Sequence, residues 1–353
     1  MKPSGIGGQA VLEGVMMKNQ DEYAIAVRKP DQSIIVEKKE YHSLTEKSFI
    51  FKWPIIRGVI AFIDSMIIGI STITYSASFF EEEEEDDKEK SSIAESLWMT
   101  LTVMLSVVIA VGIFILLPLG LVELLGKVVK SGTVLAILEG IIRLVIFIIY
   151  ILAISRMKDI QRTFMYHGAE HKTINCIENG YDLTVENVRS QSRQHKRCGT
   201  SFLLFVVIIS SIFFMFIQVD DIVLKTISRL LLVPVIAGVS YEVLKLAGRS
   251  ENPIVDAISK PGLWMQKLTT KEPDDSMIEV AIQSVEAVFD WRAFLNKEND
   301  ATKQAMTEKV ITETSATDMK NNEEIQPYMA DDFGDSEEED EVLKAIDNYF
   351  IEK

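Results

Sequence analysis

Trp98–Val122 reads WMTLTVMLSVVIAVGIFILLPLGLV, a run without a single charged side chain. A bilayer core of about 30 Å is crossed by about 20 apolar residues in a helix, so this stretch is expected to span a membrane. Three further runs have the same character. Thr133–Ser155 carries Glu139 and Arg143 at i,i+4 spacing, where each can satisfy the other's charge. Ser201–Val219 is uncharged, whereas 226–247 holds Arg229, Pro234, Glu242 and Lys245. The sequence therefore predicts a membrane α-helical protein with about four transmembrane helices.

A fifth apolar stretch, Arg57–Phe80, contains Asp64 and many small or hydroxylic residues. Basic residues crowd two segments, the first 57 residues and 156–197, while 119–132 and 220–225 hold only Lys127, Lys130 and Lys225. Lysine and arginine mark cytoplasmic loops. Four spans place both basic segments and both termini on the cytoplasmic face; a fifth would divide them. Residues 57–80 are accordingly expected to be a re-entrant or interfacial helix, and the chain a multi-pass membrane protein.

The flanking segments complete the expected layout. Residues 1–52 form a small cytoplasmic antiparallel β segment, read from period-two runs at Ala10–Met17, Tyr23–Val27 and Ser33–Val36. Residues 81–95 make an acidic linker and 96–247 the four-span domain, whose cytoplasmic loop is 156–200. Residues 249–296 form a cytoplasmic α segment with a turn at Lys260-Pro261-Gly262 and an amphipathic helix over Ser276–Phe289. An acidic disordered tail occupies 297–353, with a short helix near Glu341–Phe350. Mean hydropathy is +0.16 and net charge −16, much of the charge coming from Glu81–Asp87 and the tail. Such a balance argues against nucleic acid as a partner.

Three of the four histidines fall between residues 167 and 195. In Tyr166-His167-Gly168-Ala169-Glu170-His171-Lys172, a helix would put both imidazoles on one side, within reach of one divalent metal such as zinc. Glu170 beside them is a candidate base. His195 and Cys198 have ligand-like H-x2-C spacing just before the third span, where Thr200 or Ser201 can cap the helix. A thiol at a helix N-terminus beside Arg197 is expected to have a lowered pKa, favouring metal binding or nucleophilic attack.

Three readings stay open at this point. His167, His171 and one of His195, Cys198 or a carboxylate hold a catalytic metal; or all four close a structural zinc; or no metal binds. Arg189, Arg193, Lys196 and Arg197 either enforce topology or form a surface for anionic lipid head groups.

These motifs carry a resemblance. Gly7-Gly8-Gln9-Ala10-Val11-Leu12-Glu13-Gly14-Val15-Met16-Met17, the Tyr166–Lys172 and Arg197–Phe202 segments, and Lys260–Thr270 followed by Glu272–Asp275 resemble the YqhQ-like bacterial membrane proteins. That resemblance covers roughly residues 5–290 and implies a multi-pass protein of a bacterial cell membrane, with no established substrate, from a family sometimes labelled a predicted metal-dependent enzyme. The leading expectation is a metal-dependent hydrolase or transferase at the cytoplasmic membrane surface. Glu170 is its base, His167, His171 and His195 are ligands, Cys198 is ligand or nucleophile, and Glu13 supplies a further carboxylate. The alternative is a non-catalytic factor that scaffolds or regulates another membrane protein; a transporter ranks third, for want of repeats.

Overall fold

A computed structural model describes residues 3–80, 91–217, 219, 221–248 and 252–297. The expected linker and tail lie largely outside the described residues. The chain begins with a four-stranded antiparallel sheet in the order β1-β2-β3-β4: β1 Gly7–Val11, β2 Gly14–Asn19, β3 Glu22–Arg28 and β4 Ile34–Glu40. The run Ala10–Met17 is two strands rather than one. It is broken at Leu12-Glu13, where Glu13 takes a left-handed φ of 50°. Gly14 follows because a Cβ there would sit 2.2 Å from the Ala26 carbonyl oxygen.

Both faces of this sheet are covered. Val15, Met17, Ala24 and Ala26 pack on α5 (Lys158–Glu178) and α10 (Asp275–Glu286). Val11, Met16, Tyr23, Ile25 and Val27 pack on Ile68, Tyr75 and Phe79 at and beyond the second half of α1 (Ile56–Ala77). A strand buried on both sides reads as a continuous apolar run, as in Tyr23-Ala24-Ile25-Ala26-Val27.

The apolar helices follow: α2 Ser91–Val111, a π turn at Gly112–Leu116, α3 Leu117–Leu125, α4 Gly132–Ile154, α7 Gly199–Met215 and α8 Ile222–Ala247. Between α5 and α7 lies α6 (Val185–Ser190), and α9 spans Pro253–Thr269. Four helical stretches are long and apolar enough to cross a membrane: Ile56–Ala77, Thr100–Leu125, Gly132–Ile154 and Ile222–Ala247. This set differs from the sequence expectation, because it includes α1 and omits α7, which has 17 residues. Packing groups α3, α4, α7 and α8 into one bundle, α4 against α7 and α7 against α8, and α1 packs on α8 as extensively as α7 does.

α1 behaves differently along its length. Its first turns join the bundle, where Gly58 meets Gly238 and Arg57 is ion-paired with Glu242 at 2.6 Å. Its second half leaves for the sheet: Gly69 lies against the Gln9 side chain, and Ser76 Oγ accepts the Leu12 N–H. Asp64 finds its partners outside the bundle, accepting from Tyr41 Oη at 2.9 Å and Ser43 Oγ at 2.5 Å. Ile63, Met66, Ile67, Ile70 and Ile73 stay exposed on its free side.

The expected turn at Lys260-Pro261-Gly262 is instead the middle of α9. Gly262 allows α9 to lie against α7, since a Cβ there would come 2.8 Å from Ser201 Oγ. Packing between helices thus overrides the local breaker signal.

Candidate metal centre

The site is built where α5 meets the N-terminus of α7. On α5, His167 and His171 fall one turn apart, with ring centroids 4.4 Å from each other. Each Nδ1–H donates to a backbone carbonyl, His167 to Thr269 at 2.9 Å and His171 to Arg193 at 2.7 Å. That leaves both Nε2 atoms free to face Cys198. Such backbone anchoring is how metal-ligating histidines are usually oriented. The ligand atoms of His167, His171 and Cys198 lie within 4.8 Å of one another, and Cys198 Sγ is 3.2 Å from His167 Nε2.

Cys198 itself, rather than Thr200 or Ser201, is the N-cap of α7, its sulfur accepting the Thr200 N–H. Burial would raise its thiol pKa, but the imidazoles of His167 and His171 outweigh that and hold it well below the ordinary range. Arg197 is not the cause, because it reaches Glu178 instead. Burial pushes His167 down, yet the Cys198 sulfur and Glu170 lift it to about 9. The two shifts run in the directions that favour a thiolate beside an imidazolium.

Glu170 lies next to the trio, its Oε2 4.0 Å from His167 Nε2. That oxygen is buried without a hydrogen-bond partner. Burial raises its pKa, against the opposing pull of His171 and His167. Gly8 of β1 presses on it: a Cβ there would be 2.8 Å from Glu170 Cγ. A cavity of about 620 Å³, bounded by β1, α1, α5 and the start of α7, opens onto His167 and Glu170, with Lys18 at its wall.

Two expected site residues stand elsewhere. His195 is turned away, its Nε2 3.3 Å from Glu178 Oε2, with its ring 5.8 Å from that of His171. Glu13 is engaged by Arg162, at 2.6 Å through Oε2, and by Tyr166 Oη at 3.3 Å. It clamps the β1–β2 hairpin onto α5 and is not in the trio. The basic residues of the loop are also committed internally. Arg189 pairs with Asp275, Lys196 with Asp256 and Arg197 with Glu178, while Arg193 donates to the Thr270 carbonyl at 3.1 Å.

The supporting shell was not legible in the residues. Gln266 is fully buried and holds the His195 backbone from both sides, N–H to Oε1 at 2.8 Å and Nε2 to the carbonyl at 2.8 Å. Asn175 and Lys172 hold the carbonyls of Ser192, Gln194 and Arg189. Glu178 gathers His195, Arg197 and Ser4. Only the family resemblance of the Lys260–Thr270 segment pointed towards Gln266.

Fold and site define a mostly helical protein with membrane-length apolar helices, a small antiparallel sheet and a buried His/Cys cluster where the two meet. The family model described as protein of unknown function (DUF1385) matches residues 53–291. The chain is 37% identical to the uncharacterized protein YqhQ of Bacillus subtilis over 290 residues, covering 80% of this chain and 91% of the relative. It belongs to this YqhQ-like family, as its motifs had indicated. No solved structure matches it.

Proposed function

We propose that the chain is a metal-dependent hydrolase or transferase at the cytoplasmic surface of a bacterial membrane, with His167, His171 and Cys198 as ligands of one divalent ion such as zinc. The observation that carries this reading is the spending of both Nδ1 atoms on backbone carbonyls, which leaves two Nε2 atoms and one sulfur converging. Two nitrogens and a thiolate are a donor set suited to zinc, and three protein ligands leave a coordination position open. A bound ion there supplies Lewis-acid polarisation of a substrate oxygen and acidifies water.

The remaining roles belong to the chain. Glu170, with an unpartnered oxygen and a raised pKa, takes or returns a proton at Oε2. The cavity of about 620 Å³ orients the substrate, and Gly8 and Gln9 close it from the sheet side. His195 and Gln266 are positioning residues that hold the loop whose Arg193 carbonyl orients His171.

The membrane arrangement supports a cytoplasmic site. α2–α3, α4, α7 and α8 cross the bilayer. α1 lies along its inner surface, one side on the sheet and the isoleucine stripe of the other in lipid. The sheet, α5, α6, α9 and α10 are cytoplasmic, as are both termini.

Elemental analysis of detergent-purified protein tests the metal. About one divalent ion per chain is expected, retained in Glu170→Gln and lost in His171→Ala and Cys198→Ala. A wild type with less than about 0.2 ion per chain sinks the metal reading, since the site needs one ion to fill it. The 3.2 Å approach of Cys198 Sγ to His167 Nε2 supports a second reading, a metal-free thiolate nucleophile. Its signature is a metal-free wild type whose Cys198 is alkylated near neutral pH, with that reactivity lost in His167→Ala.

A further inference from the structure

At the end of the bundle remote from the His/Cys cluster, the α3–α4 and α7–α8 connections enclose a cavity of about 1000 Å³. Its wall includes Glu139 and Arg229, both buried, and its rim carries Lys127, Lys130, Lys225 and Glu123. Glu139 is the sole carboxylate, among the described residues, paired with two arginines. Arg143 reaches it at 2.5 Å, and Arg229 grips both its oxygens at 2.5 and 2.8 Å. Two guanidinium groups on one carboxylate leave one positive charge over.

Among the described residues, no carboxylate other than Glu139 forms an ion pair with either arginine. The remaining Arg143 donors go to neutral acceptors, the Phe114 carbonyl at 3.1 Å and Ser211 Oγ at 3.3 Å. Both guanidinium groups sit over the Phe214 ring, at 4.8 and 4.9 Å. Arg229 is 2% exposed, and its Nε–H has no hydrogen-bond partner. An unsatisfied donor on a buried charge is costly. Lys127, Lys130 and Lys225 add charge of the same sign at the mouth, and no ion pair among the described residues involves them. Glu123 is the only rim carboxylate among those lining residues.

We propose that this cavity binds an oxyanion of the phosphate type, seated against Arg229 and held by the rim lysines. The surplus positive charge of the two guanidinium groups suits a multi-oxygen anion, and the flexible ammonium groups at the rim suit its remaining charge. The anion comes either from a lipid head group of the adjacent leaflet or from free phosphate. The site lies at the opposite end of the bundle from the metal centre and does not depend on it.

Native mass spectrometry of the full chain in a neutral detergent separates the two sources. Wild type is offered dioleoyl-phosphatidylglycerol or dioleoyl-phosphatidylcholine, and in a parallel arm inorganic phosphate is added in a thermal-shift titration. Retention of phosphatidylglycerol over phosphatidylcholine, falling about fivefold for each of Lys127→Gln, Lys130→Gln and Lys225→Gln, supports a lipid head group. No lipid preference, with a phosphate-dependent rise in Tm that the triple lysine variant abolishes, supports free phosphate. Arg229→Gln removes the surplus positive charge at the wall and is expected to weaken whichever anion binds. The lysines are on the rim, so their variants keep the test meaningful if Arg229→Gln folds poorly. Equal retention of both lipids with no phosphate shift overturns the proposal. So does a preference that survives undiminished in the triple variant.

Discussion

Glu178 shows what single residues contribute around the site. It is 6% exposed and accepts from Ser4 N and Oγ, both at 2.7 Å, from His195 and from Arg197. Burial alone would raise its pKa, but the donors, led by His195 and Arg197, hold it at about 2 against an ordinary 4.5. A depressed carboxylate stabilises the fold above its unfolded pKa and loses that contribution as pH falls through the folded value. The window here runs from about 4.5 down to about 2, and the stake is on the order of 3 kcal/mol. Glu178→Gln is expected to lower the Tm at pH 7, with the gap to wild type narrowing as pH drops below 4.5. Thermal melts in detergent at several pH values check this; a gap that is constant down to the lowest accessible pH would sink it. None of this is visible in the sequence, because Ser4, Glu178 and His195 are far apart along the chain. His167, Glu170 and His171 were legible for the opposite reason: a helix brings i, i+3 and i+4 together whatever surrounds it.

At the scale of elements, small residues decide which segments may touch. Gly168 stands between the two histidines because the segment after α9 crosses α5 there. A Cβ would be 2.1 Å from the Lys271 carbonyl oxygen, whose own N–H donates to Phe164 O at 2.8 Å. Thr269, the acceptor for His167, lies two residues earlier. Gly168→Ala is therefore expected to cost roughly 1–3 kcal/mol, and to loosen the His/Cys cluster with the crossing segment. It should lower the Tm by several degrees and reduce bound metal, whereas Gly120→Ala, where no atom lies within 4 Å of the added Cβ, serves as the neutral control. Equal Tm and metal content in the two variants would refute the argument. Long-range packing is also why the boundaries of α9 and the β1–β2 hairpin escaped local reading. Pro261 and Gly262 signal a turn by themselves, and Leu12-Glu13 carries no strong turn signal at all.

On the scale of the whole molecule, the bundle and the sheet-bearing body meet along α1, α5 and α9. The course of α1 sets the topology. Val128 is 83% exposed at the end of α3, and Ser78 is exposed just beyond α1. Cys176 and Cys198 are 0% and 4% exposed, and the wild-type chain run alongside measures whatever background they give. With a membrane-impermeant maleimide, Val128→Cys is expected to label in intact cells and Ser78→Cys only after lysis. Labelling of Ser78→Cys from outside would mean that α1 crosses the bilayer, and would overturn the surface placement of that helix.

By itself the sequence determined the apolar helices, the sheet-forming start of the chain and the local His-x-x-Glu-His cluster. Each depends on composition or on the period of one element, which physics imposes locally. It also marked Cys198 as a candidate partner, through its place before an apolar helix. Only the tertiary structure decided that Cys198 joins His167 and His171 while His195 and Glu13 serve other pairs. Side-chain partners separated by tens of residues are chosen by packing, and packing is not periodic. The same holds for Trp98–Val122: hydropathy marks the run as fit for a membrane. Its seat in the bundle follows from contacts such as the Phe114 carbonyl taken by Arg143.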